Sequence, residues 1–247
     1  MDSDLTSRRT VVTVLLVVVA SLVVDLFLGA FRFVSRREDI DWDSIGTESL
    51  PEPRERGDRS VAAVIADRRS RRTYADAPLS RAELGQVLWA TQGVTSRSNG
   101  HRAAPSAGAL YPLELYVVVG EPGVSGIGTG VYRYRPETHD LAKGTTEDVQ
   151  SALADAAVDQ RFVERAPVDI VICGVDERTT GKYGTRGERR YVPMEAGHAG
   201  ENIYLQAEAL GLSTVSIGAF RDDRVLDILG ASSNQRPLYI FPVGHRP

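Results

Sequence analysis

Four arginines are concentrated in residues 68–74 (RRSRRTY), although the 247-residue chain carries a formal net charge of −4. Guanidinium groups bind phosphate oxygens through paired hydrogen bonds, and the Ser70 hydroxyl adds a further donor. The stretch lies where a helical pattern ends and an extended segment begins, so its side chains can converge on one ligand. It predicts a phosphate-binding site, with a solvated basic face or a membrane-surface patch as the alternative.

Two other stretches can line a pocket for a flat ring. Residues 104–112 (APSAGALYP) are mostly small, which lets a ring approach the backbone closely, and Tyr111 can stack on it or form a wall. Residues 216–220 (SIGAF) lie where a strand pattern runs into a helical one. Backbone N–H groups at such a place can donate to a ring nitrogen or to an anion.

The sequence does not support several other chemistries. Residues 126–130 (GIGTG) lead into a strand-like stretch rather than a helix, so they do not form a dinucleotide loop. There is no G-x-S-x-G motif, no P-loop and no metal-ligand spacing among the four histidines. Without a global basic excess, nucleic acid is not an expected partner. Cys173 is the only cysteine and lies in an apolar run, as a buried structural thiol does.

Helical and strand patterns alternate along the part of the chain that must position these residues. The helical patterns cover residues 60–68, a capping box at 80–83 with apolar spacing after it, 147–157, 190–210 and 221–229. The strand patterns cover residues 113–119, 130–134 with a continuation from 141, 168–174, 213–218 and 238–243. Residues 95–108 have the composition of a polar loop.

The long helical pattern at 190–210 contains one apolar stripe together with Gly197 and Gly200. Each glycine costs about 1 kcal/mol relative to alanine inside a helix. Such a cost is explained if another backbone packs very close, either at a dimer interface or within one subunit. We expect the dimer interface.

The N-terminal region contains an apolar run from Val11 to Leu28, in which fourteen of eighteen residues are Val, Leu or Phe. At about −0.4 kcal/mol each they favour membrane insertion by roughly 6 kcal/mol, against a cost of about 3 kcal/mol for Asp25. We therefore expect a short tail (1–10), a single transmembrane anchor (11–34), a linker (35–58) and a globular domain (59–247).

The anchor predicts a single-pass protein of the cell membrane that contacts lipid through its N-terminal helix. Three arginines follow the run and two precede it, which favours a cytoplasmic domain. Residues 7–12 also resemble a twin-arginine signal, so an exported domain is the alternative. No A-x-A cleavage site follows the run, which favours an uncleaved anchor.

Four stretches together resemble one family: residues 68–74, 105–112, 182–212, and 216–220 followed by Pro242-Val243-Gly244. The chain resembles the FMN-dependent nitroreductase superfamily, and more closely its SagB-type dehydrogenase branch, which includes azoline oxidases of peptide natural-product pathways. The resemblance implies an α+β fold with a central, mostly antiparallel sheet flanked by helices. It also implies a homodimer with FMN at the interface. In this chain the transmembrane helix precedes that fold.

The resemblance also assigns roles to individual residues. The FMN phosphate and ribityl chain would be held by Arg68, Arg69, Ser70 and Arg72, with Arg246 assisting. The flavin would be lined from the partner subunit by Pro105, Ser106 and Gly108, while Ile217 and Gly218 lie along its ring. Lys182 and Tyr183 look like the catalytic Lys-Tyr pair of the azoline oxidases. Such a pair can take the proton that accompanies hydride loss; the alternative is that both residues cover the pocket from a loop.

These expectations define a membrane-anchored FMN oxidoreductase that dehydrogenates a small-molecule or peptide-derived substrate. The alternative within the same class is a nitroreductase or quinone reductase with NAD(P)H as its donor. The alternative from another class is a non-catalytic flavin-binding module at the membrane.

Overall fold

The computed structural model describes residues 40, 42 and 44–247, which belong to one compact unit. The expected tail (1–10) and anchor (11–34) lie outside the described residues, as does the first part of the expected linker. No helix in the described part has both the length and the apolar character needed to cross a membrane.

Helices and strands alternate through the described chain. The helices are α1 (Val61–Asp67), α2 (Arg81–Gln92), α3 (Gln150–Ala156), α4 (Glu177–Tyr183), α5 (Val192–Leu210) and α6 (Asp222–Leu229). The strands are β1 (Thr47–Ser49), β2 (Val94–Ser96), β3 (His101–Arg102), β4 (Leu113–Val119), β5 (Gly130–Arg135), β6 (Asp140–Thr145), β7 (Val168–Val175), β8 (Leu212–Thr214) and β9 (Gln235–His245). A 3₁₀ turn (Ala107–Ala109) and a π-helical segment (Gly187–Tyr191) complete the description.

Seven strands form the central sheet in the order β1-β6-β5-β4-β7-β9-β8, and every neighbouring pair is antiparallel. This confirms the predicted α+β fold with a mostly antiparallel sheet. β1 lies inside residues 35–58, which we expected to be a linker. Part of that segment instead adds an edge strand, because Thr47–Ser49 pairs with β6.

The two faces of the sheet are covered by different helices, as the alternating pattern of β4 requires. Leu115 and Val117 belong to the core beneath α2 and α5, whereas Tyr116 and Val118 belong to the core beneath α3 and α6. Cys173 is buried in the second core, as predicted for a structural thiol. The sheet is therefore a layer between two helical layers.

Helix α2 begins at the capping box predicted from the sequence: Ser80 accepts from the backbone of Glu83, and the Glu83 carboxylate accepts from the backbone of Ser80. By contrast, α4 was not predicted. Its sequence, ERTTGKY, lacks an apolar stripe. Lys182 and Tyr183 thus end a helix instead of lying in a loop.

The glycines of α5 have different environments. A Cβ atom on Gly200 would lie 2.9 Å from Cζ of Phe241 in the same chain, whereas one on Gly197 would meet nothing within 4 Å. Close packing within one subunit therefore explains Gly200, and our assignment of Gly200 to a dimer interface is wrong. Gly197 lies on the exposed side of the helix.

Candidate functional site

The arginine stretch runs along the end of the central sheet. It leaves α1 at Arg68 and becomes extended, and the backbone N–H of Arg71 donates to the carbonyl of Thr214 at 2.8 Å. A second bond, from the N–H of Ala75 to the carbonyl of His245, continues this alignment. The stretch is thereby held beside Thr214, two residues before the SIGAF segment (216–220).

Tyr204 joins these two stretches through its hydroxyl group. Ser70 Oγ lies 3.0 Å from Tyr204 Oη, and the same phenolic oxygen accepts the backbone N–H of Ser216 at 2.8 Å. The guanidinium group of Arg68 lies 5.1 Å from the centre of the Tyr204 ring. Our reading of the sequence gave Tyr204 no role, although it lies within the motif at 182–212.

The arginines near this end of the sheet have two environments. Arg59, Arg71 and Arg246 all form ion pairs with the buried carboxylate of Glu208, at 3.2, 2.7 and 2.6 Å. Burial opposes ionisation of this carboxyl, but the hydrogen bonds from Arg246, Arg71 and Arg59 hold the pKa of Glu208 below its ordinary value.

The other arginines of the stretch have no carboxylate partner in the described part of the chain. Arg69 donates to the carbonyls of Ala66 and Arg68, and Arg72 lies over the ring of Phe162. Arg69, Ser70 and Arg72 are exposed. This leaves guanidinium groups available to an anion next to the Ser70 hydroxyl.

Ile217 and Gly218 directly follow Ser216, whose backbone N–H donates to Tyr204. Ile217 is buried and exchanges two backbone hydrogen bonds with Ile240, at 2.9 and 3.0 Å. Gly218 is exposed, and a Cβ atom on it would meet nothing within 4 Å. The backbone of Gly218 thus borders open space at the position where the resemblance places the flavin ring.

A second group of predicted residues meets at the loop of residues 105–112. A Cβ atom on Gly108 would lie 2.6 Å from Tyr183 Oη and 2.9 Å from Lys182 Nζ. The φ angle of Gly108 is 66°, a left-handed conformation that favours glycine. The backbone conformation therefore favours glycine at this position, and any side chain there would displace the ends of Lys182 and Tyr183.

The loop is held by several hydrogen bonds. Ser106 Oγ accepts the backbone N–H of Tyr111 at 2.9 Å, and Tyr111 Oη accepts the N–H of Arg102 at 3.2 Å. Arg178 donates to the carbonyl of Tyr111 at 3.0 Å. A cavity of about 600 Å³ lies beside the loop, and its lining includes Tyr111, Arg102 and Arg178.

Glu195, at the start of α5, lies beneath this loop and was not identified from the sequence. It is 2% exposed, and Gln92 Nε2 donates to its carboxylate at 3.2 Å. Burial raises the pKa of Glu195 to about 7, while hydrogen bonds from Ser106 and Gln92 act in the opposite direction. The sequence feature that could have identified Glu195 is a carboxylate at a position on the apolar side of an amphipathic helix.

The two groups of site residues share no direct polar contact within the described part of one chain. In the described part, no hydrogen bond or ion pair joins residues 105–112 to residues 68–74. The first group contains Pro105, Ser106, Gly108, Lys182 and Tyr183. The second contains Arg68, Arg69, Ser70, Arg72, Ile217, Gly218 and, through Glu208, Arg246.

Comparison with known proteins gives a consistent result. A model of the nitroreductase family matches residues 65–245. A Methanocaldococcus jannaschii protein named as a nitroreductase is 46% identical over 183 residues, which cover 74% of this chain and 89% of that protein. The Escherichia coli microcin B17-processing protein McbC is 30% identical over 127 residues, which cover 50% of this chain and 46% of McbC.

A solved structure supports the same assignment. The crystal structure of a protein from Ralstonia eutropha, described as a nitroreductase, superposes with a TM-score of 0.70 and 26% identity. The superposition covers 87% of this chain and 92% of that one. The chain belongs to the nitroreductase family and is an oxidoreductase enzyme.

Proposed function

We propose that this protein is a homodimeric, FMN-dependent dehydrogenase of the SagB type, anchored to a membrane by its N-terminal segment. The observation that carries the proposal is the approach of Lys182 Nζ and Tyr183 Oη to Gly108. It joins the loop that the resemblance places against the flavin to the pair that the resemblance makes catalytic. The similarity to McbC, which is named as a microcin B17-processing protein, supports the same branch.

The residues of the arginine stretch fit the phosphate of FMN. Arg68, Arg69 and Arg72 have no carboxylate partner in the described part of the chain, and Ser70 lies between them in the sequence. Arg246 shares Oε2 of Glu208 with Arg71, which places it beside the stretch. Ile217 and the open backbone at Gly218 would face the ring. Bound FMN would supply the two-electron chemistry.

A second subunit would complete the site. No polar contact joins the two groups of site residues in the described part of one chain, and the resemblance places the flavin between subunits. Pro105, Ser106 and Gly108 would therefore reach the flavin of the partner. The exposed side of α5 offers a surface for this contact: Met194 is 55% exposed, and Gly197 and His198 are exposed beside it. With no side chain on Gly197, another backbone can approach this helix closely.

Lys182 and Tyr183 would act as the base of the reaction. Dehydrogenation removes a hydride from carbon and a proton from the neighbouring atom, and the proton would go to Tyr183 Oη as a phenolate or to Lys182 Nζ as a neutral amine. The cavity beside Tyr111 has room for a small molecule or for one residue of a peptide. The substrate would therefore be a small-molecule or peptide-derived compound.

An NAD(P)H-dependent reductase of nitroaromatics or quinones is the second candidate. It is favoured by the 46% identity to the Methanocaldococcus jannaschii protein, which is named as a nitroreductase. In that reaction the substrate is reduced and no carbon-bound hydride leaves it, so the Lys-Tyr pair would not be needed as a base.

The experiment begins with the full chain, purified in detergent, whose visible spectrum and released cofactor are recorded. We expect a yellow protein that releases FMN and not FAD. A colourless protein that cannot be reconstituted with FMN contradicts the central proposal. If the protein binds FMN but no donor reduces the bound FMN, the protein is a non-catalytic flavin-binding module.

Variants of the Lys-Tyr pair then separate the two candidate reactions. Lys182→Ala and Tyr183→Phe should slow dehydrogenation of an azoline-bearing peptide by roughly 10²–10⁴ and leave FMN affinity nearly unchanged. Tyr191→Phe is the matched control, because its ring contacts that of Tyr183 from the π-helical segment. If both pair variants keep full dehydrogenation and full nitroaromatic reduction with NADH, the reductase candidate replaces ours.

A further inference from the structure

Glu195 is a buried carboxyl group that the proposed reaction does not use. It lies in the first turn of α5, where Gln92 at the end of α2 donates to it at 3.2 Å, and the Ser106 hydroxyl is close enough to lower its pKa. No ion pair with Glu195 occurs among the described residues; the guanidinium groups of Arg102 and Arg178 act on it only over a longer range. A buried carboxyl group is costly to keep without an ion pair, so its contacts need an explanation.

Ser106 connects Glu195 to a loop with an unusual backbone. Gly108, Ala109 and Tyr111 have φ angles of 66°, 54° and 45°, of which the last two are uncommon for residues with a side chain. Such a conformation persists only where surrounding contacts impose it. Ser106 Oγ provides one of these contacts by accepting the N–H of Tyr111. Its single hydroxyl proton can then be donated to Glu195.

We propose that Glu195 is a positioning residue, which acts through Ser106 to hold the loop of residues 105–112 in the conformation that brings Gly108 against Lys182 and Tyr183. In this arrangement the Ser106 hydroxyl would donate to the Glu195 carboxylate while its oxygen accepts the N–H of Tyr111, and this would close the loop across Gly108. The inference rests on the proposed function only for the role of the Lys-Tyr pair.

The test is hydrogen–deuterium exchange of the loop amides in the full chain, without added FMN. Glu195→Ala should speed exchange of the Tyr111 amide by roughly 10-fold, as expected for the loss of a hydrogen bond. Glu201→Ala is the control, because Glu201 is exposed on the same helix. Unchanged exchange in a folded Glu195→Ala protein overturns the proposal.

Two replacements distinguish hydrogen bonding from simple filling of space. Glu195→Gln can still accept from Gln92 and donate to Ser106, so its loop exchange should stay within about 3-fold of the wild type. Glu195→Leu fills the space but leaves Ser106 without its partner, so its loop should exchange as in Glu195→Ala. If Leu restores protection and Gln does not, Glu195 only fills volume and the proposal fails.

Ser106→Ala provides an independent arm if Glu195→Ala does not fold. It should release the Tyr111 amide to a similar extent, and adding Glu195→Leu should change exchange no further because the connection is already broken. Normal protection in Ser106→Ala overturns the proposal. FMN affinity, measured separately by fluorescence titration, tests the proposed function. If the protein does not bind FMN, the proposed function fails but the exchange result can still be interpreted.

Discussion

The hydroxyl oxygen of Ser70 lies 3.0 Å from the phenolic oxygen of Tyr204, although the two residues are 134 positions apart in the chain. Tyr204 also accepts from Ser216, so one side chain of α5 fixes the arginine stretch against the end of the sheet. This contact gives the stretch a defined orientation: Arg71 turns towards Glu208, and Arg72 stays exposed. Neighbouring arginines therefore have different roles.

Arg72→Ala and Arg71→Ala should give different phenotypes. Losing a charge-assisted hydrogen bond from Arg72 to the FMN phosphate should cost about 1.5–3 kcal/mol, or roughly 10- to 150-fold in affinity. Arg71→Ala should mainly lower thermal stability, because the buried carboxylate of Glu208 loses one of its partners. FMN titration beside thermal unfolding separates the two effects. An Arg71 variant of normal stability with the affinity loss expected of Arg72 would contradict this division.

The two glycines of α5 provide a matched pair of substitutions. Gly197→Leu should break the dimer, since its position is open in one subunit and lies on the face proposed to meet the partner. Gly200→Leu should instead destabilise the subunit by about 1–3 kcal/mol, because it would overpack Phe241. Light scattering and thermal unfolding distinguish the outcomes. A Gly197→Leu protein that stays dimeric rejects this placement of the interface.

Replacing Glu195 should change how stability depends on pH. The pKa of Glu195 is 4.5 in the reference state and about 7 in the fold, so only the folded state holds this proton between those values. The wild-type free energy of unfolding should therefore fall as pH rises from about 4.5 to about 7, and this contribution should level off above that.

Glu195→Gln cannot ionise and should lack this decline. Relative to the wild type, its stability should improve by on the order of 3 kcal/mol between pH 5 and pH 8. Burial also raises the pKa of Asp169, but both proteins share that group, so the difference between them isolates Glu195. Parallel stability curves, obtained by denaturant titration at each pH, would show that Glu195 does not titrate in this range.

The full chain should fractionate with membranes and resist extraction by high salt. The apolar run from Val11 to Leu28 would be inserted into the bilayer, and salt weakens electrostatic adsorption only. Detergent should release the protein, and intact mass should show an unprocessed N-terminus. A shortened, soluble protein that begins near residue 35 would instead support a cleaved export signal.

Patterns with a physical period could be read directly from the sequence. β4 and β7 follow from their apolar runs, and the apolar spacing of α5 gives its buried stripe. The contacts of Lys182 and Tyr183 with Gly108 could not be read, since α4 is polar throughout and its position depends on the loop above it. β1 was missed for a similar reason: Thr47–Ser49 has no apolar alternation, and only its pairing with β6 makes it a strand.

Buried charges were the least predictable part of the site. Glu195 and Glu208 occupy positions of α5 that an amphipathic pattern reserves for apolar residues. Each is tolerated because distant residues supply its partners: Gln92 and Ser106 for Glu195, and three arginines for Glu208. Such partners come together only in the folded chain, so local spacing cannot reveal them.

The ion pairs around Glu208 have a consequence for how the sequence can change over evolutionary time. Three arginines from distant parts of the chain form ion pairs with this one carboxylate: Arg59 before α1, Arg71 in the arginine stretch and Arg246 after β9. Loss of Glu208 would leave three neighbouring cations facing each other, whereas loss of one arginine leaves two to hold the anion. Among relatives we therefore expect the arginines to be exchanged one at a time and Glu208 to disappear only where most of them have already gone.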